Sequence, residues 1–394
     1  MSAIAPLEGI RVVEMGTVIT APLAAMMLAD LGADVIKVEK PGEGDPFRSF
    51  RGSDYSPNFT AYNRNKRSLV LNLRESEGRA IFQKLISAAD VLVENFRPGV
   101  MERMGLGAET LAAANPRLIH ASITGFGADG PYSARPSYDT VGAALSGMTS
   151  VFTDERFHDL RGPTITDNVT GMYAACGILG ALMRRTQTGR GGRVEVNMLE
   201  ASVAFIPDLF ANYLQLGIAQ TPYTRAASSQ SYVVRCADGM LLALHLSSPQ
   251  KFWHALVTAI EQPDLAGDSR FATRIGRVAN YLELKTVLDE AFARRDRADW
   301  IAQLEHGDVP HAPVLAIGEV GQDPQLVHLG TFGEVTHPEK GTLPTIHSPV
   351  TLDRARAPIR RAPPTLGEHT DAILSELGYS ARQCEALRTG GTVG

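Results

Sequence analysis

Cysteine is scarce and badly placed for cross-linking: the 394 residues hold three, Cys176, Cys236 and Cys384, odd in number and far apart. That pattern excludes a disulfide framework and the paired spacing of a zinc site, and it fits a reducing compartment. Charge of one sign is also lacking. Lys and Arg number 38 against 43 Asp and Glu, a net charge of −5, so neither nucleic acid nor an anionic membrane is an expected partner. No basic segment leads into a hydrophobic run at the start, and no apolar stretch is long enough to span a bilayer, so the expectation is a soluble, cytoplasmic protein. Internal repeats and low-complexity tracts are missing as well. Glycine is short where a nucleotide would need it. Residues 10–15, 21–31 and 34–39 read as strand, helix and strand, one βαβ unit. Its first turn, GTVITAP, has one glycine where a dinucleotide fingerprint asks for three, and no GKS or GKT follows. NAD, FAD and a Walker-type ATP site are set aside on that ground, and no metal is expected.

What is present is an acid at the doorstep of a long apolar helix. In residues 162–185 the apolar positions Met172, Ala175, Ile178, Leu179, Leu182 and Met183 recur at three- and four-residue intervals, and Arg184 and Arg185 complement the C-terminal end of the dipole. This helix is expected to be buried. Asp167 falls at or next to its N-cap, where free N–H groups favour an ionised carboxylate. Spacing alone favours a simple cap, a role worth about 1 kcal/mol. The other reading is an oriented nucleophile or base, with helix amides ready to hold an oxyanion.

The rest of the chain alternates strands with helices and turn-rich loops. Residues 41–57 form a surface loop. Residues 63–74 place Arg64, Lys66 and Arg67 ahead of a short strand, either as a solvated charge run or as a clamp for phosphates. The NFRPG loop with Asn95 and Arg97 follows a strand at 91–94, and residues 125–139 follow a strand at 118–123. Three successive strand ends thus point at one rim, where open α/β sheets bind ligands. A strand at 194–198 and a helix at 199–216 come next. Residues 221–230 read as a linker into a second unit, a hairpin at 232–246 followed by helices near 249–260, 281–293 and 297–306. A strand at 314–317 and a last helix at 370–377 close the chain. The corresponding division is a large domain from 1–220, a small domain from 221–310, and a return segment from 311–394.

Several stretches together resemble the family III CoA-transferases, the carnitine dehydratase and bile-acid-inducible family, over nearly the whole chain. They are PLEGIRVVEM at Pro6, APLAAMMLADLGADVIKVEKPGEGD at Ala21, NRNKRSLVLNL at Asn63, ADVLVENFRPGVMERMGL at Ala89, and NPRLIHASITGFGADGPY at Asn115. The Asp167 helix with TGRGGRVEVNMLEA, VPHAPVLAIGEVGQDPQL at Val309 and LGEHTDAILSELGYS at Leu366 complete the set. The resemblance implies an α/β fold: a Rossmann-like large domain plus a smaller α+β domain, in an interlinked-ring homodimer. It implies that Asp167 is the catalytic aspartate, and that coenzyme A or acyl-CoA is a substrate with no permanently bound cofactor. By family position the CoA contacts fall on Ile19, Thr20, Lys40, Leu71, Asn72, Arg74, Asn95, Phe96, Arg97, Arg103, Tyr138 and Asp139.

The chemistry asks for a carboxylate, because an aspartate can pass through a mixed anhydride and an aspartyl-CoA thioester while exchanging acyl partners, whereas Ser or His cannot. The partners implied are an acyl-CoA and a small carboxylic acid. Racemases acting on 2-methylacyl-CoA resemble this chain in fold but pair their aspartate with a histidine in a GHD-like motif. Here the place reads Ser137-Tyr138-Asp139, and Tyr is a poor base at neutral pH, so transferase is preferred to racemase; His120 and His245 are expected to be packed or satisfied in strands. A CoA-binding protein without turnover is the remaining alternative. Oxalate-using members resemble a pattern with a glycine run early in the middle domain, where this chain has residues 226–231, AASSQS. The acid expected is a small or medium carboxylic acid, a dicarboxylate such as succinate being one candidate for the CoA donor acid, with Arg48, Arg51 or Arg225 as candidates for a second carboxylate.

Overall fold

The computed structural model describes residues 5–154 and 158–394. Six short strands form one parallel sheet: β1 (Arg11–Glu14), β2 (Asp34–Glu39), β3 (Lys66–Val70), β4 (Val91–Glu94), β5 (Ile119–Thr124) and β6 (Gly192–Asn197); the edge strand β6 alternates half-buried and exposed residues, whereas the first five are almost wholly buried, with Val and Ile frequent in β1, β2, β4 and β5. Continuous apolar runs of this kind mark strands covered on both faces. The order is β3-β2-β1-β4-β5-β6. Direction along the sheet reverses between β1 and β4, so their outgoing loops diverge and leave a crevice at the C-terminal strand ends.

Alternation along each strand sorts side chains onto the two faces. Val12, Val35, Val91, Val93, Ile119 and Ala121 pack beneath helices α1 (Thr20–Asp30) and α4 (Thr166–Thr188). Val13, Ile36, Leu69 and Leu92 pack against α2 (Ser76–Ser87) and the C-terminal helices Thr370–Glu376 and Ala381–Thr389. Small residues let α1 and α4 close up. At Gly171 a Cβ would stand 2.8 Å from the Thr20 carbonyl oxygen and 3.1 Å from Leu23 Cβ, so this glycine sets how near the start of α4 lies to the start of α1. The apolar face of α4 is narrower than its periodicity predicts. Ala174, Ala175, Ile178, Ala181 and Leu182 are buried, whereas Met172 is 53% and Met183 64% exposed. Arg185 is buried and pairs with Asp90 at 2.8 Å, tying the end of α4 to the turn before β4.

The chain divides into two compact units. One comprises Met1–Met148, Gly162–Ile206 and Pro324–Gly394, the other Thr149–Arg161 and Pro207–Asp323. The exchange points differ from the sequence division at 220/221 and 310/311, and a short excursion at 149–161 joins the smaller unit. The helix read over 199–216 breaks at Pro207, which cannot continue the preceding hydrogen-bond ladder and starts a new helix instead, giving α5 (Met198–Phe205) and Pro207–Leu216. Inside 221–230, read as linker, lies a helix, Thr224–Ser229. The smaller unit has a three-stranded antiparallel sheet, Ser231–Arg235, Leu241–His245 and His311–Pro313. It packs on helices around Trp253, Phe271, Phe292 and Trp300. The predicted strand at 314–317 is shifted to His311–Pro313 and followed by a short helix, Ile317–Val320.

The C-terminal segment returns to the large unit. Arg360 donates to the carbonyls of Ala29 and Ala33 at 2.7 and 3.0 Å, and Val393 bridges Leu71. Helix Ala381–Thr389 was not anticipated, although Ser380 and Gln383 form a capping box that the sequence S-A-R-Q displays. Among the described residues no helix is long and apolar enough to cross a membrane.

Candidate active site

The turn from β1 into α1 is forced into shape by its neighbours. A Cβ on Gly16 would stand 2.2 Å from Ala21 Cβ. Val18 has φ of 69°, a left-handed conformation that a β-branched residue adopts only when the surroundings impose it, at a cost of about 1–3 kcal/mol. Two side chains impose it, Asp45 and Asn95. The Val18 N–H donates to Asp45 Oδ1 at 3.2 Å, and the Thr17 N–H donates to Asn95 Oδ1 at 3.0 Å. Asn95 Nδ2 donates in return to the Thr17 carbonyl at 2.8 Å and to Thr20 Oγ1 at 2.9 Å.

Below the turn lies a fully enclosed charge network. Lys37 Nζ meets Glu14 at 2.6 Å, Asp45 at 2.9 Å and the Gly16 carbonyl at 2.9 Å. Lys66 Nζ meets Glu14 at 2.7 Å and both the Pro22 carbonyl and Asn63 Oδ1 at 2.8 Å. Burial opposes the charge on both lysines. At Lys37 the surrounding Asp45, Glu14 and Glu39 outweigh it and hold the ammonium protonated well above the usual range, whereas at Lys66 burial wins and the pKa falls to about 8.

Both sequence readings of the basic run are corrected by this arrangement. Arg64 is buried against Asp30 at 2.5 Å, Lys66 against Glu14, and Arg67 against Asp34 at 2.6 Å and Glu376 at 2.5 Å. These cations are neither solvated nor free for phosphate. Arg48 is likewise occupied, by a two-point pairing with Glu39 at 2.6 and 2.7 Å beneath a contact with the Phe59 ring at 3.8 Å. Arg225 pairs with Asp208 at 3.3 Å, and Arg51 is exposed.

Asp167 is the second residue of α4, two places past the N-cap rather than at or next to it; Ile165 occupies the N-cap position and offers no side-chain bond. The capping acceptor comes from elsewhere. Asp139, first residue of α3 (Asp139–Leu145), accepts the Asp167 N–H on Oδ1 at 3.1 Å. Gly142 permits the approach, since a Cβ there would stand 2.8 Å from Thr166 Cγ2, and Ser202 on α5 holds Thr166 Oγ1 at 2.9 Å. The side chain of Asp167 is 7% exposed. Burial first, and the charge of Asp139 second, push its carboxyl up to about 7. The expected preference for the ionised form is thus reversed: the amide that would have favoured it serves Asp139, and desolvation prevails.

A cavity of about 280 Å³ opens beside Asp167. Of the residues singled out in the sequence, Ile19, Thr20, Asn95, Phe96, Arg97, Tyr138 and Asp167 line it, brought together by the loops leaving β1, β4 and β5. Lys40, Leu71, Asn72, Arg74 and Arg103 do not. Lys40 is exposed and pairs with Glu43; Leu71 is in the core beside β3. Asn72 Oδ1 accepts the Arg74 N–H at 3.2 Å, and Arg74 and Arg103 are exposed. Asp139 is half-buried behind Asp167.

Ser133, Arg135 and Ser137 also line the cavity and were not singled out, although they belong to a loop read as a ligand-bearing strand end. Among the described residues no histidine lines it. His120 faces a second cavity of about 290 Å³, with Glu94, Ser122 and Arg193, and Arg97 borders both. Its ring is packed as expected but not satisfied: neither nitrogen has a hydrogen-bond partner, the nearest acid being Glu94 at 3.3 Å. His245, by contrast, meets Ser231 Oγ at 3.0 Å.

The sequence model of CoA-transferase family III matches residues 7–370. Succinyl-CoA:glutarate CoA-transferase of Homo sapiens is 34% identical over 404 residues, spanning 100% of this chain and 91% of that one. Acetyl-CoA:oxalate CoA-transferase of Acetobacter aceti is 36% identical over 335 residues, spanning 81% and 83%. The crystal structure of a CAIB/BAIF family protein from Brucella suis superposes with a TM-score of 0.83 at 32% identity, covering 95% of this chain and 100% of that one.

Proposed function

The chain belongs to CoA-transferase family III, and from that premise we propose that it moves CoA between an acyl-CoA thioester and a free carboxylic acid with Asp167 as the nucleophile. The observation that carries this reading is a buried carboxyl, with no cation paired to it among the described residues and poised near neutrality, on the wall of a cavity at the strand ends. The Asp167 carboxylate attacks the thioester carbonyl, giving a mixed anhydride and CoA thiolate. The thiolate then attacks the aspartyl carbonyl, releasing the donor acid and leaving an aspartyl-CoA thioester. The acceptor carboxylate attacks that thioester to form a second anhydride and expel the thiolate, which takes the acceptor acyl group and frees Asp167. Each step exchanges one acyl–oxygen or acyl–sulfur bond for another, so no oxidant, metal or resident cofactor enters the sequence.

The site residues follow from the same reading. Ile19, Thr20, Asn95, Phe96, Arg97 and Tyr138 contact the pantetheine end of CoA in the cavity, while Lys40, Asn72, Arg74 and Arg103, outside the cavity, serve its nucleotide end; Leu71 packs in the core and drops out of that set. Asp139 holds the Asp167 amide and adds its charge to burial in raising the carboxyl above its usual range. The acids are dicarboxylates, a choice that the succinyl-CoA:glutarate relative supports. An interlinked homodimer with a Rossmann-like large domain is the assembly proposed. The apolar side chains that α4 and α5 leave open, Met172, Tyr173, Met183 and Phe205, support a covered surface there.

A racemase has less to work with, because among the described residues no histidine shares the cavity with Asp167. Exchange of isotopically labelled acid into its acyl-CoA tests the proposal. Wild-type protein is expected to catalyse it and Asp167→Asn to lose it by at least about a thousandfold; full exchange by the variant contradicts the mechanism.

A further inference from the structure

We propose that Arg135, together with the Ser137 hydroxyl, receives the second carboxylate of a dicarboxylic acyl group or acceptor acid while the first reacts at Asp167. The inference deepens the transferase reading and rests on it. Arg135 lines the cavity that Asp167 lines. Its guanidinium lies 3.9 Å over the Tyr132 ring, and Tyr132 meets Phe126 edge-on at 6.0 Å. No carboxylate pairs with it among the described residues, in contrast to Arg48, Arg64, Arg67 and Arg225.

Stacking fixes the plane of a guanidinium and leaves its N–H edge free, the geometry that matches the two oxygens of a carboxylate. Two residues on, Ser137 Oγ is buried with no hydrogen-bond partner. It sits where Gly125 lets the end of β5 press close, since a Cβ there would stand 2.4 Å from Ser137 Cβ. A buried hydroxyl left unpaired is costly unless a ligand completes it.

Charge makes the same demand. A dicarboxylate entering beside Asp167, with Asp139 behind it, brings further negative charge to the site, and Arg135, which with Arg97 is one of two guanidinium groups on the cavity wall without an ion pair among the described residues, offsets the repulsion. The size also favours an acid over the nucleotide. About 280 Å³ is at the small end of ligand cavities, suited to a short acyl chain and the thiol arm.

The same guanidinium chemistry would bind a phosphate of CoA, and the test separates the two sources. Wild-type and Arg135→Gln proteins are compared with acetyl-CoA as donor and either glutarate or pentanoate, of matched length, as acceptor. The preference for glutarate over pentanoate, as a ratio of kcat/KM, is expected to fall about 30-fold in Arg135→Gln and about 5-fold in Ser137→Ala, with KM for acetyl-CoA moving less than about twofold. Equal losses with the two acids overturn the proposal, as does a raised KM for acetyl-CoA, which assigns Arg135 to a phosphate. Wild-type transfer to pentanoate without a preference for glutarate overturns the subsite and leaves the transferase standing. Absence of transfer to either acid by wild-type protein sinks the transferase reading and this one with it.

Discussion

Glu39 and Asp167 are acids with almost the same small exposure, 4% and 7%, and burial leaves them in opposite states. At Glu39 desolvation is outweighed by the two-point bond from Arg48 and the charge of Lys37, and the carboxyl is held below its usual range. At Asp167 no cation among the described residues answers, and burial, with the charge of Asp139 behind it, raises the carboxyl to about 7. The first environment braces the chain: its ion pairs hold the floor beneath the strained turn at Val18. The second leaves free energy unclaimed at one carboxyl, which a reacting acyl group or thiol can then use. Where burial is equal, the presence or absence of a partner separates a structural acid from a chemical one.

Removing the partner from the braced region should have the largest effect. Lys37→Met leaves Glu14 and Asp45 facing each other without their common cation and is expected to cost about 3–5 kcal/mol, read as a loss of soluble protein or a fall in the urea midpoint. If that variant is as stable as wild type, the paired network is not what holds the turn.

The opposite sign is expected at Asp167. A carboxyl whose pKa is raised on folding contributes stability below the unfolded value near 3.8, and that contribution is lost as pH rises through about 7. Asp167→Asn carries no such penalty, so it should match wild type near pH 4 and exceed it by about 2–4 kcal/mol at pH 8. Urea unfolding across that pH range checks the widening gap.

Asp139→Asn should give the smallest effect. The substitution keeps an acceptor for the Asp167 amide and removes the charge, so the midpoint of the pH–kcat/KM profile, expected near 7 in the wild type, should move down by less than about one pH unit. Burial remains the larger cause and is unchanged. An unmoved midpoint would remove Asp139 from the account of Asp167.

Much of the scaffold was legible because its signals are local. The βαβ unit, the strand at Val91–Glu94, the hairpin of the smaller unit and the three strand-end loops all follow from periodicity and from glycine and proline within a few residues of each element. Asp167 was legible as an acid near a helix start. Its state was not, because the residue that takes its amide lies 28 positions earlier. Arg64, Lys66 and Arg67 show the same limit: their partners Asp30, Glu14, Asp34 and Glu376 come from distant parts of the chain, and long-range pairing leaves no mark in a window of ten residues. Arg135 leaves no local signal for the reverse reason, since the lack of a carboxylate partner among the described residues shows only in the folded chain.

The central claim is that the unpartnered carboxyl of Asp167 takes up the acyl group and then CoA, and peptide mass spectrometry of a trapped intermediate tests it most directly. Protein mixed with an acyl-CoA, quenched, treated with hydroxylamine and digested is expected to carry a hydroxamate at Asp167 and at no other acid. A hydroxamate at Glu39, Asp45 or Asp139, or an unmodified Asp167 in protein that turns over, would contradict it.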